Sequence, residues 1–280
     1  MKKLLIVGLG LIGGSYALGL TKKGYDVYAY DIDKDAIDYA KNNKIIIDGS
    51  CKFERHFVSE FDRIIFALYP KLFIEYIEKY SNYIKDNAVI SDVTGVKEKV
   101  VKHIQDILGD RVEFIPAHPM AGKEVSGIKN ADEKIFENAN YIITPTDKNT
   151  EIGLSFAKEI GEALKFRKIS TLSVKEHDEM IAFLSQLTHC IAISLMTCKD
   201  SEKLVDYTGD SFRDLTRIAN INENMWTELF MMNKESLLSE INSFINCLSN
   251  LRDYINDNDE EKIKSMMKLS TDRRKYFNKP

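Results

Sequence analysis

None of the four cysteines, Cys51, Cys190, Cys198 and Cys247, has a CxxC partner or a histidine cluster beside it, so neither a zinc site nor a disulfide framework is expected. Cys190 and Cys198 would share a helix face but stand roughly 12 Å apart at the helical rise, too far to bridge. Reduced thiols in the cytoplasm are the expectation. Long apolar runs are missing too. No stretch is expected to span a bilayer, and the short run after Lys2-Lys3 is cut by glycines before it reaches the length of a secretory leader. Neither sign of charge is in excess: 39 Lys+Arg against 43 Asp+Glu, a formal net charge of -4, gives no footing for nucleic acid or an anionic membrane as a partner. The chain has no internal repeat and no low-complexity tract, and Trp226 is its only tryptophan.

What is present is an ordinary globular composition, 44% hydrophobic and 29% charged, in 280 residues, enough for two domains with a core each. Leu4-Leu5-Ile6-Val7 is a continuous apolar run that stops at Gly8-Leu9-Gly10-Leu11-Ile12-Gly13-Gly14-Ser15 and passes into a helical pattern through Leu20. In such a strand, glycine turn and helix, Gly8 permits the tight turn, Gly10 lets the amides opening the helix at Leu11 and Ile12 approach a pyrophosphate, and Gly13 allows close helix packing. A lone GxGxxG string is weak, but here the next strand, residues 26–30, ends in Asp31, at the spacing of about 20 residues expected of the acid that binds the adenosine ribose. That carboxylate would repel a 2′-phosphate, which favours NAD over NADP. Asp33 is expected to cap the following helix.

Strands at residues 63–68 and 88–92 alternate with helices at 72–83 and 96–108, the pattern of a parallel, doubly wound sheet whose ligands bind beyond the carboxyl ends of its strands. Gly8, Asp31, Leu68, Tyr69-Pro70 and Asp92-Val93-Thr94-Gly95 fall on that edge, and so does His118, which follows the apolar run 114–117 where a strand should end. A strand at 141–145, a helix at 150–164 and a short strand near 167–169 close the alternation. Beyond Ser173 the helical period takes over, so residues 1–171 are expected to form a Rossmann-type dinucleotide-binding domain and residues 172–280 an all-helical domain. In its first helix, from about Val174 to Thr197, Ser185 and His189 lie one turn apart with Gln186 adjacent, while His177-Asp178 is expected to cap the helix start. Downstream, Arg213 and Arg217 are one turn apart in Phe212-Arg213-Asp214-Leu215-Thr216-Arg217-Ile218-Ala219, and guanidinium forks suit carboxylates. Either a salt-bridged surface helix or an anion site fits that spacing.

Taken in order, the glycine turn, Asp92 through Lys97, His118-Pro119-Met120-Ala121-Gly122 with Glu124 and Ser126-Gly127, His177-Asp178, Ser185 to His189 and the FRDLTRIA stretch give a chain that resembles the prephenate and arogenate dehydrogenases of tyrosine biosynthesis over nearly its whole length. The resemblance implies a nucleotide-binding domain followed by a helical dimerisation domain, a homodimer, and a small-molecule substrate, prephenate or arogenate. It implies that His118 is the base for the ring hydroxyl, that Arg217 binds a substrate carboxylate, that His189 contacts substrate, and that Glu124, Asp214 and Trp226 belong to the active-site network.

The chain departs from the family's pattern in several places. Gly95 stands where a serine is common, with Thr94 expected to replace its hydroxyl. Gln186 and Thr188 replace a frequent histidine and proline. Lys123 is expected to favour prephenate by attracting its side-chain carboxylate and repelling the ammonium of arogenate. Two other classes share the pattern in part: a β-hydroxyacid-type dehydrogenase and a non-catalytic NAD-binding regulator.

Overall fold

The computed structural model describes residues 3–123, 125–200 and 202–277. Its first half is built on β1 (Lys3–Val7), α1 (Leu11–Lys22), β2 (Asp26–Tyr30), α2 (Lys34–Asn42), β3 (Asp48–Ser50), α3 (Arg55–Val58), β4 (Arg63–Phe66), α4 (Pro70–Tyr80), β5 (Val89–Asp92), α5 (Glu98–Leu108) and β6 (Glu113–Ile115). The six strands pair in parallel in the order β3-β2-β1-β4-β5-β6, the doubly wound order with its switch point beside β1. Because side chains alternate across a strand, β1 sends Leu4 and Ile6 to a core shared with α1, and Leu5 and Val7 to a core shared with α4 and α5. Burial on both faces explains why these strands read as unbroken apolar runs.

A second sheet was not expected. Pro116 follows β6, and lacking an N–H it cannot extend the ladder; its carbonyl instead accepts from Thr144 N. The chain swings into β7 (Ala117–Pro119), which pairs antiparallel with β8 (Asn140–Ile143), and β8 pairs in parallel with β9 (Lys168–Thr171). His118 is therefore the middle residue of an edge strand, opposite Ile142, rather than the end of a strand in the main sheet. Between β8 and β9, α6 (Glu151–Ala163) packs Phe156, Ala157 and Ile160 into the core under α1.

The helical half starts with α7 (Val174–Ile181), continues without a break through a π-helical turn, Ala182–Leu187, and ends as α8 (Thr188–Thr197). This continuous helix corrects one expectation: its most apolar window has a mean hydropathy of 1.5, long and apolar enough to cross a bilayer. Ser185, Gln186, Thr188 and His189 hide that from a search for unbroken apolar runs. Next come α9 (Asp210–Thr216), a 3-10 turn at Arg217–Ala219 and α10 (Glu223–Met232). The change from strands to helices falls between Thr171 and Val174, but packing joins residues through Asn233 into one compact unit. The second unit, Lys234–Pro280, holds α11 (Lys234–Asn256) and α12 (Glu260–Arg274), which pack on each other across a turn where Asp259 accepts from Lys262 N.

Candidate active site

At the carboxyl end of β1, Gly8 has φ +98°, and a Cβ there would stand 2.6 Å from Ala67 O and 2.9 Å from Leu68 Cδ2. At Gly13 a Cβ would stand 1.9 Å from Gly8 O, so only glycine lets α1 lie this close to the turn. Gly10 differs: a Cβ there would meet nothing within 4 Å. Gly10 immediately precedes α1, where Leu11 and Ile12 open the helix with amides that have no partner inside it. Asp31 accepts from Leu9 N at 2.6 Å and Asp33 N at 2.8 Å, which ties the glycine turn to the end of β2, and Asp33 caps α2 through Asp35 N as expected. An open cradle at a helix N-terminus beside a fixed carboxylate fits the pyrophosphate and ribose of a dinucleotide.

Asp92, expected among the cofactor-binding residues, is drawn into a buried cluster. It is 1% exposed; its Oδ1 accepts from Ala117 N at 3.1 Å, and its Oδ2 accepts from Thr94 N and from Lys97 Nζ at 2.6 Å. Thr94 belongs to the same cluster: its hydroxyl contacts Asp92 Oδ2 and the Val96 carbonyl and accepts from Lys97 Nζ. The cluster is closed by Lys97, fully buried, whose ammonium also donates to Ala117 O at 2.7 Å. Burial lowers the Lys97 pKa against the opposing pull of Asp92.

His118 lies against this cluster and is half-buried. Its Nδ1 is 2.9 Å from His177 Nε2, and His177 Nδ1 is 2.7 Å from Asp178 Oδ1. A carboxylate only accepts, so His177 Nδ1 carries the proton and donates to Asp178; neutral His177 then accepts at Nε2, and His118 donates from Nδ1. The remaining nitrogen, His118 Nε2, is left with its lone pair. It faces Gly95, where a Cβ would be 3.7 Å from His118 Nε2 and 3.6 Å from Leu229 Cδ2. Burial first, then the neighbouring His177 and Lys97, hold the His118 pKa well below the usual histidine range. His177 is also lowered, by burial, against its bond to Asp178. Both rings are therefore neutral near physiological pH.

His177-Asp178 was expected to cap α7, but Ser173 and Glu176 do that through a reciprocal capping box. Asp178 instead accepts from Lys97 N and Glu98 N, both at 2.8 Å, at the start of α5. The sequence held a signal for this: a helix start already closed by Ser173 and Glu176 leaves the next polar pair to another task. Lys97 carried no such signal.

The helical half assembles a second cluster. His189 donates from Nδ1 to Ser185 O at 2.8 Å and stacks on Trp226 with ring centroids 3.6 Å apart. The turn bearing Arg217 packs on α8; Arg217 and Asp214 are exposed. Gln186 is 1% exposed and donates to Leu229 O at 3.1 Å, so it serves the scaffold. Lys123 is ion-paired with Asp132 at 2.9 Å. Glu124 lies outside the described residues.

Fold and site together define a class: a dinucleotide-binding dehydrogenase with a nucleotide-binding half and a helical half. The family model for the prephenate dehydrogenase nucleotide-binding domain matches residues 16–170, and that for the prephenate dehydrogenase dimerization domain matches residues 173–269. The chain is 32% identical to the prephenate dehydrogenase of Lactococcus lactis subsp. cremoris, over 94% of this chain and 74% of the relative. It is 31% identical to that of Bacillus subtilis, over 97% and 75%. The crystal structure of prephenate dehydrogenase from Aquifex aeolicus in complex with hydroxyphenyl propionate and NAD+ matches with a TM-score of 0.90 at 30% identity, over 99% of each chain. This chain belongs to the prephenate dehydrogenase family.

Proposed function

We propose that the protein is an NAD-dependent prephenate dehydrogenase that oxidatively decarboxylates prephenate to 4-hydroxyphenylpyruvate. The observation that carries this reading is the chain Asp178–His177–His118, which ends in a lone pair at His118 Nε2 beside the cofactor edge of the sheet. Gly8, Gly10, Leu11, Ile12, Gly13, Asp31 and Leu68 would hold the dinucleotide, which supplies the hydride acceptor. His118 Nε2 takes the proton of the ring hydroxyl, and the imidazolium that forms is supported through His177 by the Asp178 carboxylate. Oxidation leaves a ketone conjugated with the ring, and loss of the ring carboxylate as carbon dioxide restores aromaticity. Arg217 and His189 hold the substrate's carboxylates, with Asp214 and Trp226 around them, and fixing the dianion against the base removes much of the entropic barrier.

In the same reading residues 1–171 serve the cofactor and residues 172–280 the substrate and a homodimer. On α11 and α12, Leu238, Ile245, Leu248, Ile255 and Met267 are all more than 45% exposed, an apolar surface that a second copy would cover. The match to a dimerization domain supports this. The test is NADH formation by purified protein with prephenate and NAD, alongside arogenate and NADP. Turnover of prephenate with NAD is expected. Absence of NADH with prephenate, or a preference for arogenate, would overturn the assignment.

A further inference from the structure

The helix that carries both His177 and His189 contains a π turn at Ala182–Leu187, and a π turn takes up one residue more than an α turn. The two histidines are twelve positions apart. In an unbroken α-helix, at 3.6 residues per turn, twelve positions leave them about 120° apart around the axis. With one residue absorbed they stand effectively eleven apart, about three full turns, and face nearly the same way. The contacts agree. His177 meets His118, whose Nε2 faces Gly95 as Leu229 also does, while His189 stacks on Trp226, one turn before Leu229 on α10.

A π turn misaligns the helical ladder and is held here by two buried amide side chains. Gln186, inside the turn, donates to Leu229 O at 3.1 Å and accepts from Asn233 Nδ2 at 2.9 Å. The same Asn233 nitrogen donates to Asp178 O at 2.8 Å, so one side chain joins the turn to the residue that anchors His177. Both side chains are at least 95% buried.

We propose that Gln186 and Asn233 are positioning residues that hold the π turn, and that the turn sets His189 in phase with His177 so that the base and the substrate-binding histidine address one substrate. The inference rests on the function proposed above and adds a device for aligning its two halves.

Trp226 provides a readout separate from turnover. As the only tryptophan, stacked on His189, it should be quenched while the stack persists, and His189→Ala sets the unstacked level. In Gln186→Leu the turn should relax toward α-helix and rotate His189 away: emission rises toward that of His189→Ala, KM for prephenate rises between about ten- and a hundredfold, and KM for NAD stays unchanged. Deleting Phe183, an exposed residue of the turn, in the Gln186→Leu background removes the extra residue and should restore both quenching and KM. Asn233→Ser gives the same readouts with a milder change if Gln186→Leu does not fold. Retained quenching in Gln186→Leu and Asn233→Ser, or a deletion that restores neither signal, would overturn the proposal. A wild-type protein inactive on prephenate, but with the expected emission changes, would sink the assigned reaction and leave the π turn's role standing.

Discussion

Asp178→Asn tests the proton chain at its far end. The carboxylate accepts three bonds, from Lys97 N at 2.8 Å, Glu98 N at 2.8 Å and His177 Nδ1 at 2.7 Å, and an amide of the same shape cannot accept all three. With its oxygen toward His177 and Lys97, the asparagine turns its NH2 onto the Glu98 N–H. Flipped, it satisfies Glu98, presents a donor to His177 Nδ1 and drives the proton to Nε2; His118 then accepts at Nδ1 and carries its own proton on Nε2, where the base should be. Loss of a positioned general base costs about two to four decades in rate, or roughly 3–5 kcal/mol at 1.36 kcal/mol per decade. The first orientation keeps the tautomers but loses one charge-assisted bond, about 1.5–3 kcal/mol, and the negative charge that supports imidazolium. In the first orientation kcat should fall at least about tenfold, and in the flipped one at least about a hundredfold. NAD affinity should hold, because Asp178 lies away from the glycine turn. The assay is initial-rate NADH formation, with nitrogen NMR of labelled histidine reporting the His118 tautomer and a melting curve reporting the lost cap on α5. A kcat within about threefold of wild type, with His118 still protonated on Nδ1, would refute the chain of tautomers.

Other predictions concern the same edge of the sheet. Because burial lowers the pKa of both His118 and His177, kcat/KM should hold its plateau to more acid pH than an ordinary histidine with a pKa of about 6.5 allows, and an acid limb at or above that value would contradict it. The sign for stability follows from the same shifts: below the unfolded value of about 6.5 the unfolded chain binds protons the folded one resists, so stability is full above that pH and declines below it, and denaturation series in His118→Asn should show a shallower decline. Gly10→Ala should fold normally and lose NAD affinity by titration, since its Cβ enters open space just before the α1 start, whereas Gly13→Ala should lower the melting temperature by several degrees because its Cβ falls 1.9 Å from Gly8 O; equal stability losses would remove the cradle assignment. Gly95→Ser should leave the melting temperature unchanged, as its Cβ meets only ordinary contacts at 3.6–3.8 Å, and should place a hydroxyl within reach of His118 Nε2 and hold or raise kcat/KM; a fall of about tenfold would show that the open space itself is needed.

The nucleotide fold was legible because its signals are local. Leu4 to Val7 is buried on both faces and leaves an unbroken apolar run, and Gly8 and Gly13 mark a turn that few other residues can form. The second sheet was not legible, since only Pro116 marks the point where the chain leaves one ladder for another. The π turn was hidden for a different reason: it is held by the tertiary bonds of Gln186 with Leu229 O and Asn233, 43 and 47 positions away, which no local spacing reports. His118 could be picked out by its place after a strand, but its link to His177 spans 59 positions and exists only once α7 is docked on β7. The contacts of Asp92 and Thr94 were not legible for a related reason, because a carboxylate and a hydroxyl at a strand end look equally suited to a ligand or to a buried lysine, and the depth of Lys97 is not written in the local sequence.

Lys97 also has a mechanical consequence. Its backbone amide grips Asp178 at one end of the proton chain, while its ammonium grips the carbonyl of Ala117, the residue before His118 at the other. A single residue thus serves as the common mount for both ends. The chain from carboxylate to base is in effect a closed frame hung from one bracket, so a shift of the sheet edge against the long helix would carry both ends together.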